Sequence, residues 1–86
     1  MRKHFIKIEI NCKDTAEQQK VIEVINFHLE TLNPQFTKKA NKLTVIVPPL
    51  DSKLFEPQEA CDIIRLTLAQ SLYFITDWKC TLHIKN

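Results

Sequence analysis

The chain has 86 residues, 44% hydrophobic and 26% charged, with a formal net charge of +2 and no glycine at all. That length makes one domain with a modest core, and the balance of apolar and charged residues excludes a disordered chain. The missing glycine excludes a phosphate-cradling loop, a dinucleotide fingerprint and a nucleophile elbow, all of which need positive φ or close backbone approach.

A net charge this small does not demand a nucleic-acid partner. The arginines are only Arg2 and Arg65, and arginine is the better residue for bidentate phosphate or guanine contacts. Lysine, isoleucine and asparagine without glycine fit an AT-rich gene, as in low-GC bacteria and their phages. Three cysteines, Cys12, Cys61 and Cys80, give an odd count without the paired spacing of a secreted disulfide framework. Charges interrupt the apolar residues after Met1, so no signal peptide or membrane helix is expected and the expected location is the cytoplasm.

In chain order, His4 to Ile10 alternates, with Ile6, Ile8 and Ile10 on one side, and predicts a half-buried strand. Asn11-Cys12-Lys13 turns the chain. A helix follows, capped by Asp14 or Thr15, with Thr15 and Gln18 at capping-box spacing. Its buried stripe is Val21, Ile22, Ile25, Leu29 and Leu32, and Asn33-Pro34 stops it. Gln35 to Lys39 reads as a short strand and Ala40-Asn41 as a hairpin turn, with Asn41 expected at positive φ. Lys42 to Val47 is a β-branched strand that Pro48-Pro49 ends.

Leu50 to Phe55 is expected to be a connecting loop. Glu56-Pro57-Gln58-Glu59 opens a second helix, with Pro57 near its first position. Ala60, Ile64, Leu68, Leu72 and Ile75 form its main face, and Ile63 and Leu66 lie off it. Trp78 to Lys85 alternates as a final strand. The order strand, helix, strand, strand, helix, strand satisfies the split β-α-β arrangement called ferredoxin-like. That is an α+β fold with an antiparallel sheet in order 4-1-3-2 and both helices on one face. It is a single domain spanning residues 1–86, and the analogy implies no function.

Parity along the strands directs Cys12 and Cys80 toward the helices, where they are expected to lie near each other as small buried hydrophobes. No residue set has metal-ligand spacing, and no nucleophile meets a base, so no metal, cofactor or catalytic residue is expected. His28 is expected to be partly buried on the rim of the first helix, and His4 and His83 to face opposite sides of the sheet. Acidic residues Asp51, Glu56, Glu59 and Asp62 gather around the start of the second helix, apart from the lysine-bearing sheet.

The uncovered sheet face is the candidate binding surface. Phe5, Lys7 and Glu9 share it with Thr44 and Ile46 and with Lys79, Thr81, His83 and Lys85. Phe5, Lys7, Ile46, Lys79, His83 and Lys85 are the candidate contact residues. The expected function is non-catalytic binding of another protein, as by an inhibitor, antitoxin or adaptor, of which a phage anti-defence protein is one example. The alternatives are nucleic-acid binding through the same basic face and a dimeric ligand-binding regulatory domain. The last strand and the second helix are candidate surfaces for a homodimer.

Overall fold

The fold is that of a computed structural model that describes residues 3–48 and 56–85. Pro49, the connecting loop from Leu50 to Phe55 with its Asp51, and the side chain of Lys85 lie outside the described residues.

Strand β1 spans Lys3–Asn11, and its burial alternates because only one face of the strand is covered. Helix α1 spans Thr15–Leu29 and runs on into a 3₁₀ turn, Glu30–Leu32. Asp14 is the N-cap, and its side chain accepts the Glu17 N–H at 2.8 Å. Glu17 reaches back to accept the Lys13 N–H at 3.0 Å. The capping pair is therefore Asp14 and Glu17, not Thr15 and Gln18. With the cap one residue earlier, Gln18 is free to turn inward, and it is buried. The helical segment closes at Asn33, whose φ of 55° bends the chain into the left-handed region. Asparagine tolerates that geometry better than other non-glycine residues.

Strands β2 (Gln35–Lys39) and β3 (Lys42–Val47) form a hairpin with Ala40-Asn41 as its loop. Positive φ falls on Ala40, at 54°, and not on Asn41. The reason lies in what holds the loop. The Asn41 carbonyl accepts the Cys12 N–H at 2.9 Å and so continues the β1–β3 ladder. The reversal is thus forced onto Ala40, whose carbonyl accepts the Gln18 side-chain amide at 2.9 Å.

Helix α2 spans Pro57–Ser71, with Glu56 at its N-cap and Pro57 at N1, where a missing N–H costs nothing. Leu72 and Ile75 are buried as expected, but they lie beyond the helix in turns held by Leu72 N–H to Leu68 and Ile75 N–H to Leu72 bonds. Strand β4 spans Trp78–Lys85.

The strands form one antiparallel sheet in order β2-β3-β1-β4. Ile6, Ile8 and Ile10 of β1 and Leu43, Val45 and Val47 of β3 project to the same side. There they join Val21, Ile25 and Leu29 of α1 and Ala60, Ile64 and Leu68 of α2 in a single core cluster. Both helices therefore cover one face of the sheet, the ferredoxin-like arrangement, and the other face is left open. No described helix is long and apolar enough to cross a membrane.

Candidate binding face

Register decides which side chains meet on the open face, because residues directly opposite in adjacent strands share a face. Phe5 lies opposite His83, Lys7 between Ile46 and Thr81, and Glu9 between Thr44 and Lys79. All these open-face positions but Lys79 are half-buried, because neighbouring side chains cover one another on the pleat.

Phe5 and His83 stack, with ring centroids 5.2 Å apart and 16° between planes. His83 Nε2 is 2.8 Å from Thr81 Oγ1, and that hydroxyl also lies 3.4 Å from the Lys7 carbonyl. The hydroxyl has one proton to share between them. When His83 Nε2 carries a proton it donates to Thr81, which is then free to donate to Lys7. His4 lies opposite Ile84 and so on the helix side, away from His83.

Glu9 organises the lysines. Its carboxylate takes Lys42 at 2.9 Å, Lys79 at 3.8 Å and Lys7 at 4.0 Å. The Lys42 hydrogen bond holds the Glu9 carboxyl below the ordinary glutamate value. Partial burial opposes this, and the charges of Lys42, Lys79 and Lys7 add to it. Lys42 is not among the contact residues expected from the sequence, although strand parity carries its signal. It shares the open side with Thr44 and Ile46, two and four positions on. Next to this cluster, Asn11 Nδ2 donates to Asp77 at 2.8 Å. Glu9, Asn11, Lys42, Asp77, Trp78 and Lys79 line a shallow depression of about 190 Å³.

The six expected contact residues thus fall into two groups. Phe5 and His83 form an aromatic pair, and Lys7 and Lys79 converge on Glu9. Ile46 stands opposite Lys7, a diagonal step from Phe5. Lys85 pairs through its backbone with Lys3.

Two expectations away from this face are corrected. Cys80 lies beside Cys61, with sulfurs 4.0 Å apart, and not beside Cys12. The register places Cys80 opposite Ile8, so Cys12 falls beyond it along β1, while the first turns of α2 bring Cys61 over the sheet. Burial, then the neighbouring Cys61, pushes the Cys80 thiol up to about 12. Burial also raises the Cys12 thiol, helped by Glu17 and Asp14. His28 is exposed, not partly buried. It sits on the flank of α1, with Nε2 2.8 Å from Ser71 Oγ of α2.

Of the described acids at the start of α2, Asp62 is occupied locally. Asp62 accepts from Gln58 at 3.0 Å and pairs with Arg65 at 3.1 Å. The helix layer also leaves large apolar side chains in solvent: Phe27 is 82% exposed, Tyr73 81%, Leu66 66% and Ile63 47%. Leu66 and Ile63 are legible as residues off the main stripe of α2. Phe27 is legible in the same way, lying off the stripe of α1.

Comparison with protein-family models, curated proteins and solved structures finds no match to this chain.

Proposed function

We propose that this chain is a non-catalytic module that binds another protein through the open face of its sheet, in the manner of an inhibitor, antitoxin or adaptor. The position of Glu9 carries this reading. A face that tracks phosphates presents uncompensated lysines. Here a carboxylate stands in the middle of Lys7, Lys42 and Lys79 and takes up part of their charge. What remains is a mixed surface, with an aromatic pair and Ile46 amid charges, which suits the apolar centre and polar rim of a protein interface. The apolar side chains that the helix layer exposes add weight to a protein partner. Self-association through the last strand or the second helix belongs to the same reading.

The test is capture from a lysate of the source organism, with and without nuclease, by wild type, Phe5→Ala and Lys79→Ala. A nuclease-resistant protein should be retained by the wild type. Phe5→Ala should weaken that complex by more than about 1 kcal/mol, as expected for a residue near an interface centre. Lys79→Ala should act mainly on the association rate and its salt dependence. Capture abolished by nuclease, with affinity falling steeply in salt, would instead assign the face to nucleic acid. Capture that neither substitution alters would remove the open face from the function.

A further inference from the structure

We propose that a second copy of this chain docks on the outer edge of β4, antiparallel strand against strand, about a two-fold axis at Thr81. This deepens the reading of self-association through the last strand and does not depend on what binds the open face.

The two edges of the sheet are unlike. β2 has five residues and ends in the consecutive lysines Lys38 and Lys39, which guard an edge against pairing. β4 has eight, and among the described residues no strand pairs with its outer side. Hydrogen bonding fixes which groups are free there. Asn11 N–H donates to the Asp77 carbonyl at 3.0 Å, which continues the register of β1 with β4. In an antiparallel ladder the bonded pairs alternate. Lys79, Thr81 and His83 therefore spend their backbone groups on β1, and Trp78, Cys80, Leu82 and Ile84 direct theirs outward. These same four residues face the helices. Cys80 is buried, and Trp78 and Leu82 pack on the core, but Ile84 is 52% exposed at the end of the row.

Self-complementarity selects the axis. With the axis at Thr81, Cys80 pairs with the second copy's Leu82, and Trp78 with its Ile84. Each exposed isoleucine is then set beside an indole, the kind of aromatic and β-branched pair that stabilises sheets. The same register sets Asp77 opposite the second copy's Lys85. An axis at Leu82 sets Lys79 opposite Lys85 at both ends, and like charges directly opposite are destabilising. An axis at Cys80 shortens the ladder and leaves Ile84 uncovered. The Thr81 axis stands perpendicular to the sheet, so both helix layers lie on one side. The two open faces merge on the other, and the four-stranded sheet is doubled.

Light scattering and sedimentation over a concentration series test the association, and an engineered cross-link tests the register. The wild type should dimerise by high micromolar concentration. Ile84→Lys, at an exposed position the monomer tolerates, should raise the dissociation constant at least about tenfold with an unchanged circular dichroism spectrum. Thr81 and its copy form a non-bonded pair with Cα atoms about 4.5 Å apart, within disulfide range. Thr81→Cys treated with oxidised glutathione should therefore yield a covalent dimer on a non-reducing gel. His83→Cys and the wild type should not. A wild type that stays monomeric, or a dimer that Thr81→Cys fails to cross-link, would overturn the proposal. A monomer that still captures its partner through Phe5 would leave the proposed function standing.

Discussion

Gln18 in the first helix donates its side-chain amide to the Ala40 carbonyl, 2.9 Å away across 22 positions of chain, and reaches the Lys42 carbonyl at 3.5 Å. It is the one buried polar side chain among the described residues. A single amide thus ties α1 to the tip of the β2–β3 hairpin. Gln18→Leu is of similar size but strands the Ala40 carbonyl, and should destabilise the fold by about 1–3 kcal/mol. Urea denaturation would show this as a lower midpoint, and an unchanged midpoint would mean that water replaces the amide at no cost.

The hairpin tip stores a second, opposite effect. Ala40 holds a φ of 54°, where a Cβ is crowded. Ala40→Gly should therefore stabilise the protein by about 0.5–1 kcal/mol, the relief of strain exceeding glycine's loss of chain entropy. Asn41→Gly should not, because Asn41 has no strain to relieve. Thermal melting of the two variants side by side separates these outcomes.

Glu9 links the open face to pH. Its folded carboxyl ionises below the ordinary value, chiefly through the Lys42 hydrogen bond. A depressed acid contributes stability that is fully present above the unfolded value, about 4.3. That stability is lost as pH falls through the folded value. Carboxyl NMR titration should place Glu9 below a typical glutamate. Lys42→Ala should move it back further than Lys7→Ala, since Lys42 approaches to 2.9 Å and Lys7 only to 4.0 Å. Equal effects from both lysines would show that the hydrogen bond adds nothing to the general field.

The thiols should be inert in the native state. Cys12, Cys61 and Cys80 are all buried, and the Cys80 thiol is pushed up to about 12. A thiolate is the reactive form, so a thiol reagent at neutral pH should label none of the three at the rate of free cysteine. All should react once urea opens the fold. Rapid native labelling of Cys80 would show that α2 lifts from the sheet far more readily than its packing implies.

The strands were the most legible elements in the sequence. Lys42 to Val47 and Trp78 to Lys85 announce themselves by alternation, because burial on one face imposes a period of two. The sheet order followed from the succession of elements. What stayed hidden depends on contacts between distant segments. Asn41 has the better local propensity for positive φ, yet a ladder bond from Cys12 holds it and the bend moves to Ala40. Gln18 reads as a capping residue by spacing, and only the fold gives it a hairpin to hold. The partner of Cys80 is set by where α2 begins above the sheet, which no strand parity encodes. On the candidate face, parity placed Phe5 with His83. The grip of Glu9 on three lysines needed the register of β1 with both of its neighbours.

That register also orders events in time. Lys7 pairs with Thr81, 74 positions further along, so one side of β1 stays without its neighbour until the last strand has been made. Closing so long a loop is costly before its contacts form, and folds built on such pairings form slowly. During synthesis the β1–β3 half of the sheet, with its row of isoleucines and valines, exists for an interval with an unsatisfied border. In that interval a neighbouring nascent chain competes for the place that β4 will take.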